Sequence, residues 1–135
     1  MASSWYDKAK EKLMSGDLDL LDGTIKAVLV KSGYTQSQSH AALSDIPGAQ
    51  RVTGGTSGAL ANKSVTNGTF DADDVVFSAP TNGEVAAAVV VYLDSGTEAT
   101  SWLVAYEDGP GFPATMNGQP FTVRWDNDAD RIARL

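Results

Sequence analysis

An uninterrupted apolar run from Ala86 to Leu93 is the feature that most constrains the fold of this chain. At its centre lie three consecutive valines, and valine favours strands over helices. A strand that is apolar on both faces has no solvent-facing side, so it belongs inside a layered sheet. The run therefore predicts a buried central β-strand within the segment from Val85 to Leu93.

Short strand-like segments separated by turn residues recur along the rest of the chain, as is typical of mainly β proteins. Asn67-Gly68 and Asn117-Gly118 are the kind of dipeptide that joins antiparallel strands in tight turns. We therefore predict a mainly β fold, an antiparallel β-sandwich or partial barrel. The predicted strands are 24–31, 59–66, 75–79, 85–93, 102–107, 120–126 and 131–135.

The N-terminal segment predicts one short α-helix, from Trp5 to about Ser15. Trp5, Ala9 and Leu13 are spaced four residues apart and would form an apolar stripe on one helix face. The serines at positions 3 and 4 can cap the first turn, and Gly16 is placed to end the last one.

The length of 135 residues predicts a single domain. Within it, residues 1–22 form the N-terminal helix and linker, and residues 23–135 form the β body. The polar stretch 33–58 predicts a long loop, with room for a helical turn near residues 41–46. Loops of this length in small domains are usually functional or mobile.

The charge and composition of the chain exclude several classes of function. Its formal net charge is −7, and all of it is carried by the residues after Lys31. Such an acidic body repels phosphate, so we expect no nucleic-acid partner. The chain contains no cysteine, which excludes disulfides and thiol nucleophiles. Its first residues lack the basic and apolar regions typical of a signal peptide, and no apolar run has the length that a membrane span requires. We therefore expect a protein that is made and folded in a cytoplasm.

Residues that could carry chemistry are sparse. His40 is the only histidine, and no nucleophile motif lies near it, so we interpret it as a solvated loop residue. The acidic cluster 126–130 places oxygen ligands as an EF-hand loop does, but Arg131 replaces the required glycine. Weak calcium binding there stays open, although turn formation explains both this cluster and Asp71 to Asp74.

Three tryptophans, Trp5, Trp102 and Trp125, are the only candidates for a carbohydrate-stacking platform. The position of Trp5 on an amphipathic helix and that of Trp125 on an alternating strand favour packing of these two in the core or at an interface. We therefore nominate no catalytic, cofactor-binding or metal-binding residue, and we expect a non-enzymatic protein.

The order of the segments resembles a family of small virion proteins of tailed bacteriophages, and the likeness runs nearly end to end. The most telling block is Gly68-Thr-Phe-Asp-Ala-Asp-Asp-Val-Val-Phe77. The other blocks that carry it are 6–13, 16–20, 24–30, 34–35, 43–46, 59–66, 90–94, 103–106, 117–118 and 121–126. The series as a whole carries the resemblance, because no single block is diagnostic of an activity.

The resemblance implies a capsid decoration (cement) or head-fibre protein, and similar sequences are also labelled minor tail proteins. It implies a location on the capsid exterior, the major capsid protein as partner, and self-association, for which we expect a trimer because closed symmetry suits a local three-fold site. Either the N-terminal segment or the loop 33–58 would be the clamp that holds the capsid. The alternatives are a minor tail or head-tail protein and a carbohydrate-binding attachment module.

Overall fold

The computed structural model describes residues 3–109, 111–125 and 132–134. The protein is mainly β, with 35% of its residues in strands and 15% in helical conformation. One α-helix, α1 (Asp7–Ser15), is present in the described residues. Every strand pairing among these residues is antiparallel. The predicted mainly β fold with a single helix is therefore confirmed.

Twelve strands and three short 3-10 turns complete the described secondary structure. The strands are β1 (Ser3–Trp5), β2 (Ile25–Val30), β3 (Arg51–Thr56), β4 (Ser64–Thr66), β5 (Thr69–Asp71), β6 (Val75–Phe77), β7 (Val85–Ala86), β8 (Ala88–Leu93), β9 (Leu103–Glu107), β10 (Ala114–Thr115), β11 (Phe121–Val123) and β12 (Ala133–Arg134). The 3-10 turns are Leu43–Asp45, Gly48–Gln50 and Glu98–Thr100.

Strand β8 is the central strand of the largest sheet, whose order is β1-β9-β8-β2-β3. Val90 lies opposite Val28 of β2 on one side and opposite Tyr106 of β9 on the other. The residues from Ala88 to Val91 are fully buried, so both faces of the strand are covered. The prediction of a buried central strand is confirmed.

The apolar run is not one strand, however, because it changes partners at Ala87. Val85 and Ala86 form β7, which pairs with β10 in a small separate sheet. Ala87 donates its backbone N–H to the carbonyl oxygen of Val30 at 2.7 Å, and the pairing with β2 begins at the next residue. One continuous apolar segment therefore serves two sheets, a division that hydropathy alone does not reveal.

Two further small sheets bury their apolar residues in the same core. Strand β6 pairs with β11, and β5 lies between β12 and β4. Phe70, Phe77 and Ile132 are buried in the cluster that also contains β8. The predicted turn at Asn67-Gly68 is confirmed, since both residues have positive φ (52° and 78°) and connect β4 to β5.

The predicted start of the helix at Trp5 is wrong. Residues 3–5 are strand β1, which pairs with β9, and the helix begins at Asp7 after the extended Tyr6. The backbone N–H of Tyr6 donates to the carbonyl oxygen of Val104 at 3.1 Å, so sheet pairing prevails over the helical spacing. The predicted end is confirmed, because Gly16 adopts a left-handed conformation with φ of 82°.

The stretch 33–58 is not the long loop that its polar composition predicts. It contains β3, which forms the edge of the large sheet, and its side chains Tyr34, Ile46 and Val52 are buried. The predicted helical turn is confirmed as the 3-10 turn at 43–45. Neither this stretch nor the segment 3–16 is an extended arm, because both contribute buried side chains to the core.

Other predicted strands have the right location but the wrong length. In the segment predicted as strand 59–66, only residues 64–66 form a strand. Strands β5 and β10 were not predicted. The predicted segments 75–79, 102–107 and 120–126 contain the shorter strands β6, β9 and β11. The segment 131–135 contains β12, and residues 126–131 lie outside the described residues.

Candidate interaction surface

An open groove of about 330 Å³ lies between the end of α1, the loop after it and strand β4. We call it the α1–β4 groove. Most of its lining is aliphatic. The lining residues are Leu13, Gly16, Leu18, Asp19, Leu20, Leu21 and Val65.

Within the described part of the chain, the groove leaves apolar side chains next to the core uncovered. Val65 lies directly opposite Phe70 across the β4–β5 hairpin, so both side chains are on the same face of that hairpin. Phe70 is 1% exposed, whereas Val65 is 47% exposed. Leu21, on the opposite wall, is 49% exposed. Apolar side chains on the core side of the fold thus remain in contact with solvent.

The loop that forms one wall is held in a defined conformation. The backbone N–H groups of Asp17 and Leu18 both donate to the carbonyl oxygen of Lys12, which closes the end of α1. The carboxylate of Asp19 accepts hydrogen bonds from the backbone N–H groups of Leu21 and Asp22, each at 3.0 Å. A binding surface that is ordered in advance loses less entropy when a partner binds.

The loop after α1 is also tied to the segment that precedes β4. Lys63, just before β4, donates from Nζ to the carbonyl oxygen of Gly23. Gly23 has no room for a side chain, because a Cβ atom would collide with the carbonyl oxygen of Asp19 and with the side chain of Leu93. The loop is therefore fixed both to the large sheet and to the segment that leads into β4.

The rim of the groove is negative. Asp17, Asp19 and Asp22 are exposed in the loop that forms its wall. The nearby lysines are engaged elsewhere, since Lys12 lies 4.0 Å from the ring centre of Trp102 and Lys63 binds the backbone of the loop. The groove thus contains one exposed carboxylate, and two more are exposed in the loop beside it.

His40 lies in a loop, as predicted, but it is half-buried in a hydrogen-bonded cluster rather than fully solvated. Tyr6 Oη lies 2.8 Å from Tyr34 Oη, which lies 2.9 Å from His40 Nδ1. Burial raises the pKa of Tyr6 and of Tyr34 above their usual range. The cluster joins the N-terminal segment to the stretch 33–58, and this contact accounts for the half-buried position of His40.

The tryptophans do not form a carbohydrate platform. Trp5 and Trp125 are buried, and the half-buried Trp102 carries Lys12 over its ring. Trp125 donates from Nε1 to the carbonyl oxygen of Asp73 at 3.0 Å, which is a structural role. The carbohydrate-binding alternative requires an exposed pair of rings, and the burial of Trp125 argues against it.

The described acidic cluster supports local structure. Asp73 accepts a hydrogen bond from the Asn62 side chain at 2.6 Å, and Asp74 accepts one from the backbone N–H of Trp125 at 3.0 Å. In the part of the chain that the structure describes, no group of three or more metal-ligating side chains is assembled. The cluster 126–130, the stronger calcium candidate, lies outside the described residues.

One buried carboxyl group was not anticipated from the sequence. Glu107 is completely buried in β9, and neither carboxyl oxygen has a hydrogen-bond partner among the described residues. Burial raises its pKa to about 9, so the group is protonated at neutral pH. It lines no part of the α1–β4 groove.

Comparisons with protein-family models, with curated proteins and with solved structures find no match. The described residues contain no helix with the length and apolar character needed to span a membrane. The groove residues could have been noticed in the sequence only as an apolar linker at Leu18, Leu20 and Leu21. Nothing in the sequence places Val65, more than forty residues later, on the opposite wall.

Proposed function

We propose that this protein is a non-enzymatic structural component of a tailed-phage virion, a decoration protein that binds the outside of the capsid and stabilises it. Its partner is the major capsid protein, and it acts as a homo-oligomer, which we expect to be a trimer. The observation that carries the proposal is the open apolar groove with its acidic rim, on a body whose core is otherwise densely buried. Such a surface suits contact with another protein.

The sequence blocks that resemble phage virion proteins support the same proposal. Six of them lie in or beside strands of the buried core, among them Thr24 to Val30 and Val90 to Asp94. The stiffness that a decoration protein needs is consistent with β8, which is paired on both sides and covered on both faces. Several copies per capsid site would combine weak individual contacts into tight binding.

The burial of the N-terminal segment changes which part of the protein would contact the capsid. An extended clamp at residues 1–16 or 33–58 was expected, but Tyr6 and Tyr34 are buried and bonded to each other. The contact surface in our proposal is therefore a preformed face of the body. The α1–β4 groove is the face that we assign to this role.

The test is to incubate the purified protein with capsids that lack it, prepared from the phage that encodes it, and to sediment the mixture. We expect the protein to sediment with the capsids in hundreds of copies per particle. Cryo-electron microscopy of the decorated particle then gives the position and symmetry of the bound copies. Density found only at the tail would reject the decoration function and favour the minor tail or head-tail alternative.

A further inference from the structure

We infer that the α1–β4 groove binds an extended apolar segment of the partner protein that carries lysine or arginine next to its apolar residues. The segment would lie alongside β4 as an added strand and place its apolar side chains between Leu21 and Val65. This inference rests on the proposed function, because it names the chemistry of the partner segment that the virion supplies.

The partner segment is expected to carry apolar side chains because the groove leaves apolar side chains of this protein uncovered. Val65 faces the same side of its hairpin as Phe70, which is 1% exposed, yet nearly half of Val65 remains exposed. Leu21 is 49% exposed on the opposite wall. Since these side chains are already fixed in place, an aliphatic side chain inserted between them would remove apolar area from water on three sides.

The extended conformation follows from the hydrogen-bonding pattern of β4. Among the described strands, β4 is the last one in its sheet, whose order is β12-β5-β4. In a hairpin with a two-residue turn, Thr66 and Thr69 form the hydrogen-bonded pair next to the turn. Val65 therefore directs its backbone N–H and C=O away from β5, toward the open edge. A strand added there would satisfy both groups, which is how peptides augment exposed sheet edges.

The partner segment is expected to carry basic residues because the groove and its loop contain carboxylates. Asp19 lines the groove, and Asp17 and Asp22 are exposed in the same loop. Lys12 and Lys63 are bound to Trp102 and to the loop backbone. A partner segment with basic residues would complement these carboxylates, whereas an acidic segment would be repelled. The same carboxylates would keep a second copy of this acidic chain from binding there.

The chain offers a matched pair of variants to test the groove. Val65→Asp places a carboxylate in the groove, and Val76→Asp places one on β6, at a valine of similar exposure (52%) that does not line it. We expect V65D to lower binding to particles at least about tenfold and V76D to leave it unchanged, because only the first loses an apolar contact. Circular dichroism and thermal melting verify that both variants fold.

The identity of the bound segment is tested by cross-linking on assembled particles. A photo-crosslinking amino acid at position 65 is expected to capture an extended segment that contains both apolar and basic residues. The same amino acid at position 76 is the control. Equal binding of V65D and V76D, or capture of an acidic segment at position 65, would overturn the inference.

A peptide titration tests binding in the groove independently of the proposed function. If the wild-type protein is absent from particles, the proposed function fails, and the groove is judged by nuclear magnetic resonance of the protein alone. A peptide of alternating valine and threonine with lysine at both ends should shift the amide signals of β4 and of the loop at Leu21. The counterpart with glutamate ends should not. No shift with either peptide, or equal shifts with both, would refute the inferred chemistry.

Discussion

Replacing Glu107 with glutamine should stabilise the protein, and the gain should grow with pH. Glu107 is fully buried without a hydrogen-bond partner among the described residues, and its pKa is about 9 rather than the ordinary 4.5. Between these values the folded protein holds a proton that the unfolded chain releases. The stability contributed by the buried, protonated Glu107 is therefore complete below about pH 4.5 and is lost as the pH rises toward 9.

The size of the effect follows from the pKa difference. Each pH unit above the unfolded pKa costs about 1.4 kcal/mol, which gives a cost of about 3 kcal/mol at pH 7 and about 6 kcal/mol at pH 9. Glutamine has a similar volume and no proton to lose, so it avoids this cost. The Glu107→Gln variant should match the wild type near pH 4 and exceed its unfolding free energy by about 3 kcal/mol at pH 7.

Urea unfolding from pH 4 to pH 9 measures the difference between Glu107→Gln and the wild type at each pH. Taking the difference removes the contributions of other titrating groups, because both proteins share them. Asp108→Asn is the matched control, since Asp108 is the next residue and is exposed. A difference that stays constant between pH 5 and pH 9 would refute the argument, because it would show that Glu107 ionises freely in the folded protein.

Three further predictions concern the core. Tyr6→Phe removes the hydrogen bond to Tyr34 and should lower the unfolding free energy by about 1–2 kcal/mol in urea titrations. An unchanged midpoint would contradict a buried bond. Deletion of residues 1–16 should abolish cooperative folding, because β1 and Tyr6 belong to the core. The dispersion of the amide signals in nuclear magnetic resonance spectra measures this, and a folded remainder would show that they do not belong to the core. Val90→Ala should lower the unfolding free energy by about 2–3 kcal/mol, and Val76→Ala by less than about 0.5 kcal/mol. The difference arises because only the substitution at Val90 leaves a buried cavity. Equal losses would refute the central position of β8.

The parts of the fold that the sequence predicts are those in which one segment determines its own structure. The strands that contain Val28 and Val90 follow from local hydropathy. The turn at Asn67-Gly68 follows from the backbone preference of its two residues. Gly16 likewise ends α1 for a local reason. In each case the decisive physical property lies within a few residues of the feature.

The parts that could not be predicted depend on distant partners. Trp5 has helical spacing but lies in a strand, because Ala105 of β9 is available to pair with it. Arg51 to Thr56 has loop composition but forms an edge strand, because β2 offers it a neighbour. The α1–β4 groove has the same origin, since Leu21 and Val65 meet only through tertiary packing. A local pattern contains no information about such neighbours.

The pairing of β1 with β9 also determines how early the large sheet can form while the chain is being synthesised. Ser3 leaves the ribosome about a hundred residues before its partner Glu107 does, and β2 waits about sixty residues for β8. The large sheet cannot close until nearly the whole chain has been translated, and such non-local pairing is slow. Fragments that stop before β9 would expose the unpaired edge of strand β8, which favours aggregation. The translating cell must therefore protect the nascent chain until its last third has emerged.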